Sequence, residues 1–175
     1  MFKKAIFHGG IHPPENKLTD NAKIERIEDI SLVRIPMNMH IGAPCTPIVK
    51  KGDKVDFGQV IGEPSGIAVP IHASVSGTVK SVKKTLLGTG VLVDVVEIEN
   101  DFENRLHESI KPPKVETKEE FLKAVRDSGI VGLGGAGFPT HVKLNPPPDQ
   151  APDLLLINAM ECEPYITSDD RQCVE

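Results

Sequence analysis

Hydrophobic and polar positions change rhythm twice along the chain. From residue 31 to 100 the apolar residues come in short β-branched runs: Ser31-Leu-Val-Arg-Ile-Pro36, Val75-Ser-Gly-Thr-Val79 and Val91-Leu-Val-Asp-Val-Val96. Partial alternation in such runs predicts half-buried strands. Glycine or proline interrupts them every few residues, which suits tight turns. Gly52-Asp53-x-Val55-x-x-Gly58 reads as a turn, a strand residue and a second turn. Gly52–Glu63 and Ser74–Val82 are expected to be two halves of one small β-sandwich. Residues 101–116 are charged, carry Pro112-Pro113, and read as a linker. A helical rhythm then begins. Thr117 and Glu120 are spaced as a capping box, Phe121, Leu122, Ala124 and Val125 supply an apolar face, and Gly129 ends the helix. A glycine-rich loop follows, then the polar stretch Asn145–Asp153. Leu154–Ile157 is too short for a helix and wholly apolar, which predicts a buried, parallel strand. Helix, loop and buried strand together predict the start of an α/β domain.

Residues 1–30 are polar and irregular. His8 and His12 lie four apart, a metal-binding spacing on a helix, but the Gly-Gly between them and the Pro-Pro after them forbid that helix. An extended arm packed on the body is expected. The division read from the sequence is therefore an arm (1–30), a β domain (31–100), a linker (101–116) and the start of an α/β domain (117–175).

Composition narrows the function. Twenty Lys and Arg against 25 Asp and Glu leave a net charge of −5, with no positive excess to neutralise phosphates, so nucleic acid is not an expected partner. Fifteen glycines and 15 prolines in 175 residues favour a turn-rich fold over a helical bundle. The longest aliphatic run, Leu154–Ile157, is far short of the about 20 residues of a membrane span, so no direct membrane insertion is expected. Met1–Pro13 has no apolar run of the kind that makes a secretory signal. Cys45, Cys162 and Cys173 are widely spaced and odd in number, which reads as reduced thiols in a cytoplasmic protein. The last residues follow directly on a dense motif without a stop signal, as expected for part of a longer chain.

The chemistry is concentrated in two segments. Gly132-Leu-Gly-Gly-Ala-Gly-Phe-Pro-Thr-His-Val-Lys143 contains Gly132-x-Gly134-x-x-Gly137. The dinucleotide fingerprint of that form needs a strand before it and a helix after it. Here a helix precedes and Phe138-Pro139 follows, so the ordinary Rossmann unit is rejected. The bare backbone can nonetheless approach a ligand and turn its N–H groups toward phosphate oxygens, with Lys143 as counter-charge. The alternative is a tightly packed structural loop. The second segment, Asn158-Ala-Met-Glu161-Cys-Glu163-Pro-Tyr165, follows the expected strand, where open α/β sheets bind ligands. The Asn158 amide suits the edge of a heterocycle. Glu161 and Glu163 are either acid/base or metal-binding carboxylates, or a solvated acidic turn. Cys162 reads as a small buried thiol.

Together these segments resemble a known family. Gly132–Leu144 is similar to the flavin loop of the NADH-oxidising, FMN-carrying subunit of respiratory complex I. Asn158–Pro164 is similar to the same subunit's Asn-x-Asp-Glu-x-Glu-Pro motif. The first half extends the match: Gly10-Ile-His-Pro-Pro14, His40-Ile-Gly-Ala-Pro-Cys45, Val49-Lys-Lys-Gly-Asp53, Gly58-Gln-Val-Ile-Gly62 and Ile71-His-Ala-Ser-Val-Ser-Gly77 resemble the C subunit of the Rnf electron transport complex, RnfC. The likeness covers nearly the whole chain. It implies a peripheral cytoplasmic subunit on the inner face of the cell membrane, in a complex coupling electron transfer between NADH and ferredoxin to ion transport. FMN, a nicotinamide site and two 4Fe-4S clusters are implied for the whole subunit. By the same resemblance Gly132, Gly134, Gly135, Ala136, Gly137 and Lys143 match the flavin-phosphate loop. Asn158 and Glu161 match flavin-ring and nucleotide contacts, and Phe138 and Glu163 match positions on the nicotinamide side. Leu133 stands where the complex I protein has an arginine, and Met160 where it has an aspartate. No Cys-x-x-Cys occurs, so the cluster ligands are not in this sequence, and no catalytic or metal-ligating residue is assigned.

The β half also resembles biotinyl and lipoyl carrier domains, a barrel-sandwich hybrid. Carriers modify a lysine on the hairpin here expected near Glu63-Pro-Ser-Gly66, yet no lysine occurs between Lys54 and Lys80. The fold is expected without the swinging-arm chemistry. The fold class is thus α+β in several parts, a barrel-sandwich hybrid followed by the start of an α/β nucleotide-binding domain. Two functions follow: an FMN- and NADH-binding redox subunit, or a non-catalytic docking module of a multi-subunit assembly.

Overall fold

The computed structural model describes residues 13–133, 135–150, 152–154, 156 and 163–167. Seven strands and two short helices are distributed over them: β1 (Leu32–Pro36), β2 (Thr46–Pro47), β3 (Lys54–Val55), β4 (Val60–Glu63), β5 (Ile71–His72), β6 (Gly77–Leu86), β7 (Leu92–Asn100), α1 (Lys118–Asp127) and α2 (Thr140–Lys143). The described parts of residues 1–26 and 152–175 form one compact unit, and residues 27–151 form another.

In the larger unit the strands form two antiparallel sheets, one ordered β1-β7-β6-β3 and one ordered β2-β4-β5. The two halves read from the sequence interlock: β3 of the first pairs with β6 of the second, Lys54 opposite Thr78 and Val55 opposite Gly77. The turn that makes this possible has Gly52 at φ +94°, a left-handed conformation that suits glycine. Its N–H donates to the Val79 carbonyl at 2.8 Å, and Val79 N–H donates back to the Asp53 carbonyl at 2.8 Å. Between the sheets lies a core of β-branched and aliphatic side chains in which Met37, Ile61, Val96 and Ile98 are fully buried.

The long β6–β7 hairpin contains one device that alternation does not reveal. The register shifts between Val79 and Ser81. The extra residue of this β-bulge lets Val79 and Val82, three apart, both pack on the core. The opposite sheet face carries Glu97, whose side chain is only 10% exposed. Its carboxylate accepts from Arg34 Nε at 2.9 Å, from Ser81 Oγ at 2.5 Å and from Lys83 Nζ at 3.2 Å. The Ser81 hydroxyl first, then the Lys83 ammonium, with Arg34 adding to them, pulls the Glu97 pKa down to about 2 from an ordinary 4.5. A depressed carboxylate stabilises the fold fully above its unfolded pKa and loses that contribution as pH falls through the folded one. Glu97→Gln is therefore expected to lower the unfolding midpoint at neutral pH. Its deficit relative to wild type should shrink as pH falls from about 4.5 toward about 2. Thermal unfolding of both proteins across that range checks this, and a deficit independent of pH would contradict it.

The segment read as a linker runs along the barrel in its first half. Phe57 N–H donates to the Arg105 carbonyl at 2.8 Å, and His107 N–H donates to the Phe57 carbonyl at 3.0 Å, a short parallel bridge. Arg105 fans out to Asp56, Asp101 and Glu103, which raise its pKa further.

Helix α1 begins as its sequence predicts. Thr117 Oγ1 accepts from the Glu120 N–H, and the Glu120 carboxylate accepts from the Thr117 N–H. The backbone N–H groups of Glu116 and Thr117 hold the Glu120 carboxyl below its usual range. Gly129, at φ +72°, closes the helix. A side chain there would meet the Pro70 carbonyl at 2.9 Å and the His72 ring at 3.1 Å, so the end of α1 sits directly on the barrel.

In the smaller unit the arm is tied to the 163–167 segment. Lys17 Nζ donates to the carbonyls of Glu163 and Ile166 at 2.7 and 2.6 Å, and Asn16 N–H donates to the Pro164 carbonyl at 3.0 Å. His8 and His12 lie outside the described residues. The buried strand expected at Leu154–Ile157 is not formed where it is described: Leu154 and Leu156 lie outside any strand and are 67% and 81% exposed. A parallel strand needs neighbours along its edges, and none of the described residues supplies one.

Candidate functional site

The glycine loop is closed at its base. Val131 bridges Pro139, Gly132 N–H donates to the Phe138 carbonyl at 3.0 Å, and Thr140 N–H donates to the Ile130 carbonyl at 3.1 Å. Pro139 is buried and leads into the single turn of α2. The loop between them therefore projects from a fixed neck.

What each glycine does differs from one to the next. Gly137, at φ +66°, has its α-carbon pressed on the barrel: a Cβ there would lie 3.2 Å from His40 Cα and 3.3 Å from the Met39 carbonyl. The Gly137 carbonyl accepts from the Ile41 N–H at 3.1 Å. This glycine is needed for packing. At Gly132 a Cβ would meet Lys143 Nζ at 3.3 Å, which places the ammonium over the loop. Gly135 has an ordinary φ, and a Cβ there would meet nothing within 4 Å. Neither strain nor crowding demands a glycine at that position. Among the described residues, the N–H groups of Leu133, Gly135 and Ala136 have no acceptor, and Lys143 has no ion-pair partner.

A cleft of about 760 Å³ lies between this loop and the barrel. Its loop wall is Gly132, Leu133 and Gly135–Gly137. Its barrel wall is the end of β1 with the following turn, and the β5 segment from Val69 to Ser74. Volumes of about 300–1,000 Å³ are usual for small-molecule sites. The sequence marked His40–Cys45 and Ile71–Gly77 as family motifs but not as a wall facing this loop, because no local pattern links residues 36–41 with a loop almost a hundred positions later.

Below that wall lie His40 and Cys45, the two ends of one motif, which the sequence did not pair with each other. His40 is buried, with Nε2 at 3.0 Å from the Val69 carbonyl and Nδ1 at 3.2 Å from the Ile41 carbonyl. Cys45 Sγ lies 3.7 Å from His40 Nε2 and donates to the Val69 carbonyl at 3.2 Å. Burial pushes the Cys45 thiol pKa up, so the group is a neutral donor that braces the turn rather than a nucleophile. On α2, His141 Nδ1 is buried with no partner among the described residues, and burial with the nearby Arg126 charge lowers its pKa.

Of the residues singled out from the sequence, the structure gathers Gly132, Gly135, Ala136, Gly137, Phe138 and Lys143 in one loop and its neck. Gly134, Asn158 and Glu161 lie outside the described residues, as do Cys162 and Cys173. Glu163 belongs to the smaller unit, where its carbonyl accepts from Lys17. Among the described residues no helix is long and apolar enough to cross a membrane.

Comparison with known proteins gives these observations a setting. Residues 5–103 match the family described as the RnfC barrel sandwich hybrid domain, and residues 125–175 match the Nuo51 FMN-binding domain. The chain is 49% identical, over 95% of its length, to the C subunit of the Na(+)-translocating ferredoxin:NAD(+) oxidoreductase complex of Acetobacterium woodii. It is 41% identical over 97% of its length to the proton-translocating counterpart of Clostridium ljungdahlii. A third relative, the C subunit of the ion-translocating oxidoreductase complex of Rhodobacter capsulatus, is 41% identical over 93% of the chain. The chain spans 39%, 38% and 33% of the lengths of those relatives. The two-sheet barrel thus lies within the first match and the glycine loop within the second, and the chain belongs to the RnfC family.

Proposed function

We propose that this chain carries the flavin-binding loop of an Rnf-type C subunit, holding FMN by its phosphate and NADH beside it. The whole subunit would pass electrons between NADH and ferredoxin through 4Fe-4S clusters whose ligands are not in this sequence. It would do so as a peripheral subunit on the inner, cytoplasmic face of the membrane, in an ion-translocating complex with other subunits. The observation that carries this reading is Gly135. Its bareness is unexplained by the fold, it faces open space, and the N–H groups beside it lack acceptors among the described residues.

The residues fit an anionic tail. The backbone N–H groups of Leu133, Gly135 and Ala136 can donate to phosphate oxygens, and hydrogen bonds to a charged acceptor are roughly twice as strong as neutral ones. Lys143 brings a positive charge over the same loop. Gly134 completes the bare stretch in sequence, and Phe138, Asn158, Glu161 and Glu163 are proposed contacts to the ring, ribose and nicotinamide. When bound, FMN would supply the exchange between two-electron hydride chemistry and single-electron transfer. The protein's part is to bind, orient and exclude water. The second reading, a docking module, finds support in the β6–β7 hairpin tip, where Leu86 and Leu92 are 67% and 59% exposed.

The test is a fluorescence titration of FMN into the full natural chain. Binding with quenched flavin emission is expected, and Gly135→Ala should weaken it about tenfold, a loss of about 1.4 kcal/mol, with an unchanged unfolding midpoint. A flat titration of the wild-type chain would overturn the proposal.

A further inference from the structure

The barrel-sandwich domain looks at first like a module with no part in ligand chemistry: it lacks the carrier lysine, and its described residues present no cluster of metal-ligating groups. Its position beside the glycine loop says otherwise. The turn after β1 touches the loop directly, through Ile41 N–H to the Gly137 carbonyl and through the Met39–His40 backbone against Gly137. Next to Met39, Asn38 lines the cleft. It is half-buried, and its carboxamide has no hydrogen-bond partner among the described residues. A half-buried amide whose two donor hydrogens and acceptor oxygen have no protein partner is free to hydrogen-bond a ligand entering the cleft. The other polar side chains of this wall are placed differently: Arg34 is engaged by Glu97, both His40 ring nitrogens lie against carbonyls, His72 is hydrogen-bonded to the Asp127 backbone, and Ser74 is exposed at the rim.

From this juxtaposition we infer that the barrel supplies the second wall of the flavin site, with Asn38 hydrogen-bonding the part of the ligand that is not phosphate. The inference rests on the FMN reading and adds a division of labour. The loop and Lys143 hold the charged tail. The apolar β1 and β5 edges shelter the ring, and Asn38 hydrogen-bonds the uncharged portion and fixes its orientation. The cleft of about 760 Å³ leaves room for both. The barrel and the flavin loop would then be one binding device, which explains why α1 and the loop are seated on the barrel rather than free of it.

Riboflavin, which has the ring and ribityl chain but no phosphate, separates the two parts. In the full natural chain, Asn38→Leu should weaken riboflavin and FMN by the same factor, about fivefold or more. Lys143→Ala should weaken FMN and leave riboflavin unchanged. A second readout guards against simple misfolding. In ¹⁵N-labelled wild-type protein, riboflavin should shift the Asn38 side-chain NH₂ signals, and Asn38→Ser should retain the native amide spectrum while binding riboflavin more weakly. If wild type binds FMN, Lys143→Ala weakens it, and Asn38→Leu binds both flavins as wild type does, the inference fails and the FMN reading stands. If wild type binds neither flavin, both fall.

Discussion

Gly77→Ala is expected to be the most damaging addition of a single methyl group to the barrel. A Cβ at this position would lie 1.9 Å from the Glu99 carbonyl oxygen and 2.9 Å from its carbon, with Asn100 Cα at 3.3 Å. All three are backbone atoms of β7, so no rotamer change relieves the clash. Gly77 opens β6 and is paired on both sides, with Val55 of β3 and Asn100 of β7. The added methyl must therefore push β6 from β7 next to Val79 and Ile98, both fully enclosed in the core. Overpacking a well-filled interior costs about 1–3 kcal/mol and occasionally more, and this case belongs at about 3 kcal/mol or above. Gly88 is the control: nothing lies within 4 Å of a Cβ there, and it has no left-handed φ. Its replacement by alanine should stay within about 0.5 kcal/mol. Urea unfolding of the two variants beside wild type decides the matter, and equal midpoints for Gly77→Ala and Gly88→Ala would contradict the packing described.

Gly137→Ala is expected to unseat the glycine loop. Its left-handed φ of +66° costs a non-glycine residue about 1–2 kcal/mol. Its Cβ would also press on the His40 Cα and the Met39 carbonyl, again backbone that cannot rotate away. The least costly relief is to lift the loop, which breaks the Ile41 N–H to Gly137 carbonyl bond. Two readouts should change together. Hydrogen exchange at the Ile41 amide should accelerate, and FMN affinity should fall by about tenfold or more, since the phosphate donors lose their fixed neck. The contrast with Gly135→Ala is informative: that change should reach the ligand without touching Ile41. If Gly137→Ala left Ile41 exchange unaltered, the loop would not be held by the barrel in the way the contacts indicate.

Legibility differed from place to place, for physical reasons. The capping box at Thr117 and Glu120 and the αL stop at Gly129 were readable because caps satisfy their own backbone groups within a few residues. The β6 and β7 strands were readable from β-branched runs. The bulge between Val79 and Ser81 was not, because an inserted residue shows only when the partner strand is in place. Leu154–Ile157 was readable as an apolar run but not as a strand, since a run states what would be buried and not what covers it. In the glycine loop the composition marked four glycines as alike. The fold distinguishes one for packing at Gly137, one beneath a lysine at Gly132 and one left open at Gly135.

Residue types and their spacing along the chain were enough to establish that a turn-rich β half precedes a capped helix and a glycine loop, that the carrier lysine is missing, and that the motifs are those of the RnfC family. Such features depend on interactions within a few positions, or on the presence of a side chain at all. Which glycine faces protein and which faces solvent, that Arg105 straps the segment after β7 to the barrel, and that Asn38 shares a cleft with Gly135 were decided only by folding. These depend on which distant segments are brought to within a few ångströms, and chain order carries no direct record of that.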